Sequence, residues 1–345
     1  MRFRVLVAAA AAVTVVGTGV GYLAPAASAA PINSAAKAPD GSYIESVQTL
    51  GERKLQLEVH STAMDRTFPL LVDLPADNSV PRPTLYLVNG GGGGVDGNAS
   101  WDQKTDAKEF LGDKNINVVE LIGGRWSYYA DWRATDPVLG VNKWQTFYTE
   151  ELPPIIDAAL GTNGKNSIAG YSMAGTSVLM LAITKPGLFQ NVAAYSGCAQ
   201  TSDPVGQKFV QTTVETWGGG NSLNMWGASD NPLWEANDPV LHADKLRGTN
   251  IWVSAGGGLP GEHDAPGNPY IMGDDKYNPI SVANHVVVGG IIEAAMSLCS
   301  HNLQNRLTEL GIPATFDLPP TGTHTWGYWQ DNLKQSWPVL SKDLY

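Results

Sequence analysis

The sequence predicts an α/β protein built on a mostly parallel central sheet with helices on both faces. Three observations support this. Short apolar strands alternate with helical stretches along the chain, two of the strands end directly in glycine runs, and a strand–turn–helix with a serine at the turn lies mid-chain. Parallel strands need a long crossover connection, and a helix between two strands supplies it.

The N-terminus has the layout of a secretory signal peptide. Two arginines precede a long uncharged apolar run, and small residues surround Ala29. This pattern predicts that residues 1–29 are removed near Ala29 and that the mature protein is secreted or held in the cell envelope. The alternative is a membrane anchor, because the run is nearly long enough to span a bilayer. No later segment is interpreted as a membrane span, and residues 30–45 are expected to be a loose N-terminal segment.

The remaining chain, residues 46–345, is interpreted as one domain. Strands are predicted at 54–61, 68–76, 83–94, 116–124, 166–170, 191–197, 249–257 and 312–320, and helices at 101–113, 143–160 and 172–184. A segment at about 200–240 is rich in Trp, Gly and Asn and poor in strands, which predicts a helical insertion near the active site.

Charge and cysteine content narrow the possible functions. The 345-residue chain has a formal net charge of −11, and without a basic face it is not expected to bind nucleic acid. Its two cysteines, Cys198 and Cys299, are expected to form a disulfide in an exported protein, rather than two separate buried thiols.

The segment around Ser172 resembles a nucleophile elbow. A strand that turns sharply into a helix needs small residues two before and two after the serine, and Gly170 and Ala174 stand there. Small residues also occur wherever a helix packs on a sheet, so the strand before the serine and the apolar helix after it carry the interpretation.

A serine nucleophile needs a base and an acid that orients the base. His324 lies in a Gly/Pro/Thr loop after the last predicted strand, where such a base belongs, and His301 is the rival. The acid is left open by the pattern. Glu262 and Asp264 follow the strand at 249–257, and Glu293 is a third candidate.

The same reaction needs two backbone N–H groups aimed at a developing oxyanion. One is expected from Met173, directly after the serine. The other is expected from the glycine run at 90–94, where the backbone can approach a substrate closely. The run is not followed by GK[ST], which argues against a phosphate-binding loop.

These motifs together resemble the secreted mycolyltransferases of mycolic-acid bacteria, which have an α/β-hydrolase fold. The resemblance runs from about Leu55 to Leu340. It is carried by the stretches LYLVNG, GGRWSYYADW, KWQTFYTEELP, GYSMAGTS, NMWGASDNPLWEANDP and GTHTWGYW.

The resemblance implies a catalytic set for this chain. Ser172 matches the nucleophile, His324 the base, and Glu293 the acid. Glu293 therefore replaces Glu262 and Asp264, the residues that the general pattern indicates as the acid. Gly91 and Met173 match the residues whose N–H groups form the oxyanion hole.

Residues for substrate contacts also follow from the resemblance. Trp326 matches a tryptophan that forms a wall of the sugar pocket. Asn89 and Gly92 stand where better-known members carry an aspartate and an arginine that bind the trehalose headgroup, so this chain is expected to hold sugar less tightly or to use another acceptor.

The implied reaction moves a mycolyl group from trehalose monomycolate to a hydroxyl acceptor through an acyl-serine. The acceptor is a second trehalose monomycolate, cell-wall arabinan or a protein, and no metal or organic cofactor is needed. Two alternatives remain: a secreted carboxylesterase with the same triad, and a non-catalytic protein of this fold that binds cell wall or matrix.

Overall fold

A computed structural model describes residues 32–95, 100–271 and 275–345. The predicted signal peptide and its cleavage site near Ala29 lie outside the described residues, and both stay predictions.

In the described part of the chain, nine strands form one sheet in the order β1-β2-β3-β5-β4-β6-β7-β8-β9. Strands β1 to β3 pair antiparallel, β3 also pairs antiparallel with β5, and every pair from β5 to β9 is parallel. The strands are β1 Tyr43–Thr49, β2 Lys54–Ser61, β3 Arg66–Asp73, β4 Thr84–Val88, β5 Asn117–Leu121, β6 Asn166–Tyr171, β7 Asn191–Tyr195, β8 Asn250–Ser254 and β9 Thr315–Asp317.

Helices cover both faces of the sheet, which confirms the predicted fold class. The α-helices are α1 Trp101–Lys104, α2 Ala107–Leu111, α3 Trp144–Thr146, α4 Leu152–Leu160, α5 Met173–Thr184, α6 Pro204–Gln211, α7 Ser222–Met225, α8 Leu233–Ala236, α9 Pro279–Glu309 and α10 Trp326–Leu340. Two π-helical segments, Phe147–Glu151 and Thr212–Trp217, continue α3 and α6.

The burial of each strand follows its place in the sheet. Strands β4, β5, β6 and β7 are buried along their whole length, as parallel strands covered on both faces must be. Strand β2 alternates between buried and half-buried positions, the pattern of an antiparallel strand with one face toward the core. The segment between β7 and β8 contains α6, α7 and α8 and corresponds to the predicted helical insertion.

The expectation of a loose segment at 30–45 is wrong for residues 32–45. The N–H of Asn33 donates to the carbonyl of Ala159 at 2.9 Å, and Ala36 and Ala38 are buried in the main core. From Tyr43 onward the chain forms β1, which pairs with β2. The alanines look like linker composition in the sequence, but their small size lets this backbone lie close against the core.

Helix α9 changes a second expectation. By length and composition alone it could cross a membrane, although the sequence pattern is interpreted as having no membrane span after the N-terminus. Its inner face, however, carries His285, Glu293 and Cys299, all buried against the rest of the domain. The burial of this face could not be predicted from the sequence, because its polar residues are few and widely spaced along α9.

The predicted disulfide between Cys198 and Cys299 is present, with the two Cα atoms 5.0 Å apart. It lies in a small apolar cluster with Ala255 and Met296. The bridge therefore fastens the segment after β7 to α9 and closes a loop with a sequence separation of 101 residues.

Candidate active site

Ser172 stands at a sharp turn between β6 and α5. Its backbone is left-handed, with φ of 57°, a conformation that costs an L residue free energy and is common at functional sites. Only small neighbours fit: a Cβ on Gly170 would lie 2.8 Å from the carbonyl oxygen of Ala174, and one on Gly175 would lie 2.6 Å from that of Tyr195. The turn therefore presents the serine side chain at the carboxyl edge of the sheet.

The structure brings three predicted side chains into one hydrogen-bonded chain. His324 Nε2 lies 2.8 Å from Ser172 Oγ, and His324 Nδ1 lies 2.7 Å from Glu293 Oε2. His324 sits in the loop between β9 and α10, and its N–H donates to the carbonyl of Gly289 on α9 at 3.2 Å. The same helix thus positions both the histidine backbone and the carboxylate that faces its ring.

The Glu293 carboxylate is almost fully buried, at 1% exposure. Its Oε1 accepts hydrogen bonds from Ser196 Oγ at 2.7 Å and from the Gly256 N–H at 2.8 Å. These two hydrogen bonds fix Oε1, and Oε2 faces the His324 ring. This arrangement therefore suits a carboxylate that orients and stabilises a histidine.

Sequence reasoning missed Ser196 and Trp329, which complete this network. Trp329 Nε1 donates to Ser196 Oγ at 2.9 Å, and the backbone of Ser196 is left-handed with φ of 51°. The signal available in the sequence was position: Ser196 directly follows the buried strand β7, so it lies at the same sheet edge as Ser172.

The other acid candidates are not at the site. Asp264 Oδ1 pairs with His285 Nε2 at 2.8 Å, and its Oδ2 accepts from the Tyr328 hydroxyl at 2.6 Å. Burial raises the pKa of Asp264, but hydrogen bonds from His285, Thr323, Tyr328 and the Gly261 N–H outweigh this and lower it to about 2. Asp264 contacts the residue before His324, through the hydroxyl of Thr323. It supports the loop and not the imidazole.

Neither Glu262 nor His301 takes the predicted alternative role. Glu262 is exposed in a short 3₁₀ turn. His301 is exposed on α9, and its Nδ1 lies 2.8 Å from the carbonyl of Ser297, one turn earlier in the same helix. The structure therefore excludes His301 as the partner of Ser172.

The two predicted oxyanion donors belong to the segments expected. Met173 is the first residue of α5, and Gly91 lies in the turn after β4. Within the described residues, neither N–H donates a hydrogen bond. A Cβ on Gly91 would lie 2.4 Å from the ring of Trp126, so only glycine fits there.

The side chain of Asn89, at one of the three positions assigned to substrate contacts, is fully buried. Its Nδ2 donates to Glu120 Oε1 at 2.8 Å and to the Leu121 carbonyl at 3.1 Å, while its Oδ1 accepts from the Trp101 N–H. Because the Asn89 amide makes these hydrogen bonds within the protein, it stabilises the loop after β4 and has no group directed toward a ligand. Burial raises the pKa of its partner Glu120 to about 7, against the opposing effect of these hydrogen bonds.

The other two predicted substrate contacts lie at the surface of the site. Gly92 is half-buried and offers only its backbone. Trp326 is half-buried at the start of α10, with its ring centroid 4.4 Å from that of Tyr171 and 6.1 Å from that of Trp101. Their roles toward a sugar stay predictions.

A serine at a strand–helix turn is hydrogen-bonded to a histidine, and the histidine is hydrogen-bonded to a buried glutamate. This arrangement at one sheet edge defines a serine-hydrolase type of α/β protein. A family model described as "Putative esterase" matches residues 61–340. Two curated relatives are named diacylglycerol acyltransferase/mycolyltransferase. The chain is 31% identical to Ag85A of Mycobacterium tuberculosis H37Rv over 84% of this chain and 80% of that protein, and 31% identical to Ag85B of Mycobacterium leprae over 84% and 83%.

The chain therefore belongs to the putative esterase family and, within it, to the family of these acyltransferases. Solved structures agree on the fold. Mycobacterium tuberculosis MPT51 (FbpC1) superposes with a TM-score of 0.68 at 24% identity, covering 85% of this chain and 99% of its own. An S-formylglutathione hydrolase from Agrobacterium tumefaciens gives 0.61 at 15% identity, covering 88% and 99%.

Proposed function

We propose that this protein is a secreted serine acyltransferase that moves a mycolyl group from trehalose monomycolate to a hydroxyl acceptor. The observation that carries the proposal is the continuous hydrogen-bonded chain from Ser172 through His324 to Glu293. The names of the relatives indicate which acyl group is transferred. The three hydrogen-bonded side chains provide the groups that carry out the transfer.

Acylation begins at the serine. His324 Nε2 takes the proton of Ser172 as its Oγ attacks the ester carbonyl, and Glu293 stabilises the resulting imidazolium. The N–H groups of Gly91 and Met173 receive the negative oxygen of the tetrahedral intermediate. When the intermediate collapses, His324 returns the proton to the trehalose oxygen, and an acyl ester remains on Ser172.

Transfer reverses these steps with a new hydroxyl. His324 deprotonates the acceptor, whose oxygen attacks the acyl-serine through the same oxyanion hole. The new ester leaves and Ser172 recovers its proton. Water would give free mycolate by the same route, so the two activities differ only in which hydroxyl reaches the acyl-enzyme.

The acceptor is a second trehalose monomycolate, cell-wall arabinan or a protein hydroxyl. The buried Asn89 leaves the early loop without a charged side chain at that place, which supports looser sugar binding than in a site built on an aspartate and an arginine. Trp326 and the backbone at Gly92 are the groups proposed to face the sugar. A secreted location fits both the predicted signal peptide and a cell-envelope substrate.

The test is a product analysis. Mature wild-type protein and Ser172→Ala are incubated with trehalose monomycolate, and trehalose dimycolate, free mycolate and trehalose are quantified over time. The proposal predicts dimycolate as the main product of the wild type and neither product from Ser172→Ala.

Other product patterns identify the alternatives. Free mycolate without dimycolate, even with excess trehalose or arabinan, would make the protein a carboxylesterase. No turnover and no acyl-serine would favour the non-catalytic binding protein.

A further inference from the structure

The outer face of α9 carries an apolar stripe that nothing in the described structure covers. Ile280, Val287, Ile291 and Leu298 are 71, 57, 69 and 56% exposed. Their spacings of seven, four and seven residues place them within about 20° of one line along a helix that turns about 100° per residue. With a rise of about 1.5 Å per residue, the stripe is about 27 Å long.

The stripe has no charged side chains beside it on the helix. Between residues 279 and 305 the sole Asp, Glu, Lys or Arg is Glu293, which is buried on the opposite face. An exposed helix face normally carries charged and polar residues. A contiguous exposed apolar patch instead marks a surface that binds something apolar.

Further exposed apolar groups extend the patch. Tyr277, just before α9, is 68% exposed, and Leu259 is 60% exposed. The residue before Leu259 is held against the helix, since a Cβ on Gly258 would lie 2.4 Å from the carbonyl oxygen of Gly290. A shallow cavity of about 480 Å³ next to Tyr277 is lined by prolines and valines of the same region.

The patch adjoins the candidate active site. Helix α9 presents Glu293 inward to His324, and its Gly289 carbonyl accepts the His324 N–H. The stripe lies on the other side of the same two turns. Anything bound along the stripe is therefore held beside the reacting groups.

We infer that this stripe docks the protein onto the surface of a neutral lipid assembly that contains its substrate. The inference rests on the proposed function, because a lipid ester is held in such an assembly and must reach Ser172. The lack of charge on the stripe and the net charge of −11 favour a neutral surface over an anionic one, which attracts basic segments. Buried apolar area then supplies the binding free energy.

The experiment is flotation of the mature protein with phosphatidylcholine vesicles, compared with vesicles containing phosphatidylglycerol. The stripe variant is Ile280→Gln/Val287→Gln/Ile291→Gln, since glutamine keeps helix propensity. The control is Leu50→Gln/Val80→Gln, which removes exposed apolar side chains far along the chain from α9.

We expect the wild type and the control to float with neutral vesicles. The stripe variant should partition on the order of a hundredfold more weakly, because three partly exposed aliphatic groups no longer enter the lipid. Anionic vesicles should bind the wild type no better than neutral ones. All variants should hydrolyse a water-soluble short-chain ester at the wild-type rate, since the substitutions lie on the outer face.

Three results would overturn the inference. The first is wild-type protein that does not float, and the second is equal flotation of the wild type and the stripe variant. The third is a dimer in size-exclusion chromatography that the stripe variant dissociates, which would make the occupant a second copy of the chain. Failure of the proposed function looks different, because then trehalose monomycolate gives no trehalose dimycolate, whatever the flotation shows.

Discussion

Replacing Ser196 with alanine probes the support of the acid without touching the triad. The hydroxyl of Ser196 donates to Glu293 Oε1 and accepts from Trp329 Nε1. Alanine keeps the Cβ, and with it the same left-handed backbone cost, so the change removes these two hydrogen bonds alone.

The magnitude follows from the two bonds. A hydrogen bond to an ionised group contributes about 1.5–3 kcal/mol, and a buried N–H left without an acceptor costs about 1–3 kcal/mol. The two share one hydroxyl and do not simply add, so we expect Ser196→Ala to lower the free energy of unfolding by about 2–4 kcal/mol. For a domain of this size, that corresponds to a fall in Tm of roughly 3–6 °C.

Activity should fall as well. Oε1 then keeps the hydrogen bond from the Gly256 N–H but loses the one from Ser196, so Glu293 is held less firmly beside His324. We expect kcat/KM for a soluble ester to fall about 10- to 30-fold, equivalent to about 1.4–2 kcal/mol.

Ser300→Ala is the matched control. Ser300 is a buried serine on α9, the helix that carries Glu293, and its hydroxyl donates to the Met296 carbonyl. It should keep wild-type kcat/KM. The reasoning is refuted if kcat/KM of Ser196→Ala stays within twofold of the wild type, or if Ser300→Ala loses as much activity.

Three further predictions follow from the same geometry. Glu293→Gln should slow phosphonylation of the serine by about 10³- to 10⁴-fold, while circular dichroism stays native; a loss below tenfold would remove Glu293 from the triad. Replacing Cys198 and Cys299 with serine should lower the free energy of unfolding by about 4–5 kcal/mol in the chain-entropy model, measured by urea titration, and unchanged stability would contradict the bridge. The folded-state pKa of Asp264 lies at about 2, below the ordinary value of 3.8 for an aspartate, so its contribution to stability is present above pH 3.8 and lost as the pH falls toward 2. Asp264→Asn should therefore flatten stability over that window in acid denaturation, and an unchanged acid slope would argue against the His285 and Tyr328 bonds.

Local pattern was enough to place the serine and the histidine. Ser172 stands out because a strand–helix turn tolerates only small neighbours, and Gly170 and Ala174 satisfy this rule within five residues of sequence. His324 stands out because the loop after the last strand returns to the same sheet edge. Both signals are short in sequence, so they can be found without a structure.

The acid could not be found in this way. The generic pattern points to the loop after β8, yet the carboxylate that meets His324 comes from the middle of the 31-residue helix α9. Only the family resemblance selected Glu293 from the three candidates. Nothing local distinguishes it from any other glutamate in a helix, because its role is set by packing against residues far along the chain.

Burial explains why the partners of some polar side chains could not be predicted from the sequence. Asn89 follows a buried strand and begins a glycine loop, a position typical of a ligand contact. Its amide is instead hydrogen-bonded to Glu120, Leu121 and Trp101. Whether a polar side chain turns inward or outward depends on partners that sequence spacing does not reveal. The Ser196–Trp329 bond, between residues 133 positions apart, is hidden for the same reason.

The most direct test of the central claim is intact-mass spectrometry of the mature protein after treatment with a serine-reactive phosphonate. The account predicts one covalent adduct on the wild type and none on Ser172→Ala, with adduct formation greatly slowed in Glu293→Ala. An unmodified wild type, or an adduct that persists in Ser172→Ala, would contradict an activated serine at this position.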